Sequence, residues 1–206
     1  MNKIMEGFKT LKGTSVVIPD VSRDELPGFF VEMGFKRGAE IGVYKGEYTK
    51  KFCEVGLTMF GVDPWKAFYG QGRTQQVQKR QDFIFEHAKR VLGDYLNKDC
   101  TLIRKDSMDA VHSFMDEALD FVYIDGDHEF AHVAADIVAW AKKVKKGGIV
   151  AGHDYFSTNP KAQNVVCQVK PVIDAYVKAY QIPNLWIFGR DDLPNEKAVS
   201  WMFVKE

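Results

Sequence analysis

Five short apolar runs, each closing on or beside a glycine or an aspartate, alternate with longer stretches of helical spacing, and this alternation constrains the fold more than any other feature. The runs are "GAEIGV" (38–43), "LTMFGVD" (57–63), "CTLIRKD" (100–106), "LDFVYID" (119–125) and "GGIVAGHD" (147–154). Most are apolar on both faces, as strands buried in a parallel sheet are. Helical patterns follow at 47–55, 74–96, 107–115 and 129–144. A leading helix is announced by "SRDELPGFFVEMGF", where Ser22 and Glu25 have capping-box spacing. Near the end, "NLWIFGR" (184–190) and "AVSWMFVK" (198–205) flank the turn-rich "DDLPNEK". The expected fold is α/β: a Rossmann-like, seven-stranded, mainly parallel sheet with helices on both faces and a C-terminal antiparallel hairpin.

With 206 residues the chain suits one buried core, so a single domain over 1–206 is expected, with an N-terminal extension (1–21) and a core (22–206). Lysine plus arginine (28) balances aspartate plus glutamate (28), which points away from nucleic acid and anionic membranes. Three scattered cysteines, no signal-peptide pattern and no long apolar run lead to the expectation of a reduced, cytoplasmic protein. A homodimer is compatible with these totals, and a small molecule is the expected partner.

Ligands of open parallel sheets lie outside the C-terminal strand ends. That rule selects Glu40 to Gly46, Asp63 to Trp65, Asp106 with Ser107, Asp125 to His128, and His153 to Tyr155. Gly42 and Gly46, on either side of Val43, let the backbone turn tightly. Their G-x-x-x-G spacing lacks the middle glycine of a dinucleotide fingerprint. An acidic Glu40 at the turn repels a pyrophosphate and suits a cationic ligand. Asp63, followed by Pro64 and Trp65, is placed to accept from both hydroxyls of a ribose. Asp106 and Ser107 stand where an adenine would then fall, or cap the following helix. Trp65, Tyr69, Tyr155 and Phe156 either wall an acceptor pocket or are plain packing, and the polar stretch 71–81 is either a lid or an exposed helix start.

"HEFAH" (128–132) spells the H-E-x-x-H signature of zinc metalloproteases. On a helix, however, Phe130, Val133, Ile137 and Ala141 form the apolar stripe, and His128 and His132 fall about 150–200° from its centre. No third ligand follows at metalloprotease spacing. The informative part is "DGDH" before it, which puts Asp125 and His128 at the mouth of the crevice.

The stretches "GAEIGVYKGEYT", "GVDPW", "LDFVYIDGDHEFAHVAADIVAWAKKVKKGGIVAGHDY" and "SWMFVK" resemble the class I S-adenosylmethionine-dependent methyltransferases, in particular a bacterial branch with IDGDH and GHDY motifs. The resemblance implies Glu40 and Gly42, with Val43 and Gly46 in the same turn, beside the methionine part of S-adenosylmethionine. It places Asp63, Pro64 and Trp65 at the ribose, Asp106 and Ser107 at the adenine, and Asp125 beside the reacting methyl. His128 and His153, with Asp125, are the candidates for acid–base work. Asp125, His153 and Asp154 also resemble the divalent-metal site of catechol-type O-methyltransferases, although His-Asp stands where those have Asp-Asn. The implied activity is methyl transfer to a small-molecule or sugar-like acceptor at oxygen. A nicotinamide-dependent oxidoreductase on a related sheet and a non-catalytic S-adenosylmethionine or nucleoside binder are the alternatives.

Overall fold

The computed structural model describes residues 2–67, 77–156, 166–189 and 199–206. Tyr69, most of the 71–81 stretch and the turn at 191–197 lie outside the described residues. Eight strands form one sheet: β1 (Val16–Ile18), β2 (Arg37–Ile41), β3 (Thr58–Val62), β4 (Cys100–Ile103), β5 (Leu119–Ile124), β6 (Val144–Gly152), β7 (Trp186–Phe188) and β8 (Ser200–Val204), in the order β1-β7-β8-β6-β5-β2-β3-β4. The seven strands read from the sequence are all present. The eighth, β1, pairs in parallel with β7 at the sheet edge, and three residues are too few to show a period of two.

Strand β8 runs antiparallel between β6 and β7, and every other pairing is parallel. The helices are α1 (Lys3–Thr10), α2 (Leu26–Glu32), α3 (Glu47–Glu54), α4 (Gln78–Leu92), α5 (Ser107–Ala110), α6 (Phe130–Trp140) and α7 (Val169–Ala179). The capping box is formed: Ser22 and Glu25 cap one tight turn, Arg23–Glu25, that leads into α2. Helix α7 was not read from the sequence, although Val169, Val172, Ile173 and Val177 are buried at helical spacing. Pro171 in its first turn costs little, because that amide has no intrahelical partner.

Alternation along β5 divides the core in two. Phe121 and Tyr123 point to the face covered by α1, α2 and α3, where Phe30 lies 4.1 Å from the Phe121 ring and Tyr48 lies 4.8 Å from that of Tyr123. Val122 and Ile124 point to the opposite face, against Val133, Ile137 and Trp140 of α6 and Ile173 of α7. A strand buried on both sides cannot slip by one residue without exchanging the two sets, so the register of the strand ends is firmly set. Phe130 departs from the helical reading: it is the first residue of α6 and is 54% exposed, and the buried face of the helix begins only at Val133.

Candidate active site at the strand ends

Backbone hydrogen bonds lock the rim of the sheet before any side chain is considered. His153 N donates to Ile124 O (3.0 Å), Asp125 N to Ile41 O (2.7 Å), Gly42 N to Val62 O (2.8 Å) and Asp63 N to Ile103 O (3.2 Å). Across β6-β5-β2-β3-β4 the strand ends therefore present His153 and Asp154, then Asp125, then Glu40 to Gly42, then Asp63, then Asp106. Gly42 is required by this geometry itself: at φ +96°, a Cβ would sit 2.1 Å from the Asp125 carbonyl oxygen. Gly46, at φ +81°, turns the chain into α3.

Glu40 is 2% exposed and accepts from Thr49 Oγ1. Burial pushes its carboxyl up to about 8, with Asp125 adding to the shift and Thr49 and Arg23 opposing it. A carboxyl so placed ionises readily only when a cation joins it. Asp63 is raised by burial and held back by its amide partners: Tyr44 N donates to Oδ2 (2.9 Å) and Trp65 N to Oδ1 (2.8 Å). Each oxygen retains a lone pair for a ribose hydroxyl.

Trp65 and Ser107 face inward rather than into the crevice. Trp65 is 1% exposed, packs with its ring centroid 4.7 Å from that of Phe85 and donates Nε1 to Tyr44 O at 2.9 Å. Val43 is packed with it, while Pro64 only bridges Asp63 and Trp65 in the chain. The Ser107 hydroxyl donates to Asp136 and accepts from Trp140 Nε1 at 2.7 Å, and burial raises Asp136 to about 6. Asp106 differs: its Oδ1 is buried with no partner, which leaves an acceptor for a ligand amine. Tyr155 is likewise drawn away, donating its hydroxyl to Asp174 beside Ser15. Phe156 keeps an exposed ring.

At the β5 and β6 ends the structure gathers Asp125, His128, His153 and Asp154. His128 Nε2 lies 2.9 Å from Asp154 Oδ2 and 3.9 Å from Asp125 Oδ1. His153 Nδ1 lies 3.5 Å from Asp154 Oδ1 and 3.8 Å from Asp125 Oδ1. Burial depresses the His128 imidazolium, but Asp125 and Asp154 outweigh it and push His128 up to about 10. Asp154 is held well below its usual range: burial opposes ionisation, and the two histidines overcome it. The H-E-x-x-H pair is split, since His128 precedes α6 whereas His132 sits on its first turn and pairs with Asp127 at 3.1 Å. Asp125, His128 and Asp154 offer one ligand atom each, all within 4.8 Å of one another. The structure thus brings His128 into the grouping expected for His153.

One member of the site escaped the sequence reading. Arg23, from the turn before α2, places Nη1 3.4 Å from Asp125 Oδ2 and stacks over the Tyr48 ring at 4.7 Å. No local pattern marks it, because its partner is 102 residues away. A cavity of about 150 Å³ lined by Val138, Tyr176, Tyr180 and Phe203 lies at the other end of the sheet and contains none of these residues.

A parallel sheet closed by one inserted antiparallel strand, with carboxylates at adjoining strand ends, defines the class I methyltransferase fold. Residues 39–155 match the model of the methyltransferase domain, and the chain belongs to that family. The O-methyltransferase from Bacillus cereus in complex with SAH superposes with a TM-score of 0.63 at 16% identity, covering 90% of this chain and 83% of that one. An rRNA methylase from Streptococcus thermophilus gives 0.60 at 13% identity, covering 87% and 93%. The N-methyltransferase NodS from Bradyrhizobium japonicum gives 0.59 at 12%, covering 89% and 94%. Acceptors this different on one fold mean that the fold does not choose the acceptor. The uncharacterized protein y4gI of Sinorhizobium fredii is 24% identical over 130 residues, which is 58% of this chain but 13% of that protein. Among the described residues no helix is long and apolar enough to cross a membrane.

Proposed function

We propose that the chain transfers the methyl group of S-adenosylmethionine to an oxygen of a small-molecule or sugar-like acceptor. The observation that carries this reading is the row Asp125, Glu40, Asp63, Asp106 at the C-terminal ends of four adjacent strands, β5-β2-β3-β4. At about 4.8 Å per strand, the row spans about 14 Å along the rim. It offers carboxylates first to a cationic ammonium and sulfonium, then to a ribose, then to an adenine amine, in the order these occur along one extended ligand. The G-x-x-x-G turn and buried Glu40 disfavour a pyrophosphate at the same place.

In the reaction the acceptor oxygen attacks the methyl carbon in line with the departing sulfur, which leaves as a neutral thioether with the bonding pair. Positioning supplies most of the acceleration for such a displacement. The acceptor's proton needs a destination, and His153 supports this role through its buried, unpartnered Nε2. His128, carrying a proton between Asp125 and Asp154, keeps the cluster from accumulating negative charge. Asp125, His128 and Asp154 also fit a divalent cation, since one ligand atom from each lies within 4.8 Å of the others, and an ion there would take the place of the proton that His128 Nε2 shares with Asp154. An imidazole favours ions softer than magnesium. A bound ion would acidify and orient the acceptor hydroxyl.

The test is calorimetry with S-adenosylhomocysteine and NADH, followed by methyl-labelled S-adenosylmethionine with phenolic and sugar acceptors. Binding of S-adenosylhomocysteine and label on an acceptor oxygen are expected. Binding of NADH alone refutes the reading.

A further inference from the structure

We propose that Arg23 binds the carboxylate of the cofactor's amino-acid head, a role that rests on the S-adenosylmethionine reading above. That head is a zwitterion. Glu40 and Asp125 answer its ammonium, but the carboxylate beside it would meet two like charges unless a cation stood with them.

Among the described residues, three other lysine and arginine side chains near the rim are engaged elsewhere. Lys66 pairs with Asp106 at 3.7 Å and Arg104 with Asp82 and the Trp65 carbonyl, both on the adenine side. Lys45 lies over the Tyr44 ring. Of these described lysines and arginines, only Arg23 touches the acidic pair, with Nη1 3.4 Å from Asp125 Oδ2; the charged His128 lies farther, 3.9 Å from Asp125 Oδ1, and is held by Asp154 at 2.9 Å. Its position is fixed three ways. The Ser22–Glu25 capping box sets its backbone, Tyr48 Oη donates to its carbonyl at 2.8 Å, and its guanidinium stacks on the Tyr48 face at 4.7 Å. A guanidinium has five N–H donors in a planar fork, and the contact with Asp125 uses one nitrogen. Tyr123 interacts with the same guanidinium, and the donors left over by Asp125 and Tyr123 can take a carboxylate beside the acidic pair.

The experiment compares S-adenosylhomocysteine with its decarboxylated analogue, which keeps the nucleoside, thioether and amine. Affinities are measured by calorimetry for the wild type, Arg23→Gln and Arg23→Lys. Arg23→Gln is expected to weaken S-adenosylhomocysteine about ten- to a hundredfold, as lost charge-assisted hydrogen bonds do, and to leave the analogue within about twofold. Arg23→Lys, which keeps the charge and loses the fork, is expected to fall between. If Arg23→Gln unfolds, the decision rests on Arg23→Lys, whose loss must again be confined to the carboxylate-bearing ligand. Equal weakening of both ligands overturns the assignment and makes Arg23 a prop for Asp125. Unchanged affinity for S-adenosylhomocysteine overturns it too. A wild type that binds neither ligand refutes the cofactor reading itself, and the assignment falls with it.

Discussion

Glu40→Gln should make the protein more stable and a poorer binder at once. In the fold the Glu40 carboxyl is raised from 4.5 to about 8, chiefly by burial. Below the lower value both folded and unfolded chains hold the proton, and the group contributes no difference. Between the two values the unfolded chain releases a proton that the folded chain keeps, so stability falls as pH rises through this window. At about 1.4 kcal/mol per unit, the loss approaches about 4 kcal/mol near pH 8. Glutamine has the same shape, accepts from Thr49 as before and never ionises. Urea midpoints at about pH 4.5, 6 and 8 should show the variant equal to wild type at the lowest pH and increasingly more stable above it, by up to about 4 kcal/mol. Its affinity for S-adenosylhomocysteine should drop about tenfold, as loss of one charge-assisted bond does. Two effects of opposite sign exclude simple misfolding. Parallel pH curves for the two proteins would refute the claim that a buried, reluctantly ionised Glu40 is kept for a cationic ligand.

Gly42→Ala forces a Cβ to within 2.1 Å of the Asp125 carbonyl at φ +96° and should cost at least about 3 kcal/mol, read as a lowered urea midpoint. Asp63→Ala removes the acceptor for Tyr44 N and Trp65 N; it should lower stability by about 1–2 kcal/mol and weaken S-adenosylhomocysteine more than tenfold, seen by calorimetry. Titration with manganese or zinc should show one site that His128→Ala weakens at least about tenfold; equal affinity in the variant would exclude His128 as a ligand. Trp140→Phe deletes the donor to Ser107 and should destabilise by about 1–3 kcal/mol with cofactor affinity unchanged, since Ser107 faces the core.

The sequence by itself determined the layers of the fold and most of the rim. Periods of two and of about 3.6 residues are local properties, and a polar residue stopping an apolar run is visible without coordinates. Glu40, Asp63, Asp106 and Asp125 were legible for that reason, as was the antiparallel end of the sheet. Tertiary structure alone decided which way the neighbours of these residues turn. Trp65 and Ser107 stand at strand ends yet spend their polar groups on Tyr44, Asp136 and Trp140, because the turn after β2 offers Trp65 a carbonyl and α6 offers Ser107 two buried side chains. His128, on no helix, pairs with Asp154 just past the end of β6. Arg23 reaches Asp125 only because α2 covers the face next to α3. Contacts between residues far apart in the chain leave no periodicity, so charge pairing across the crevice had to be read from the packed sheet.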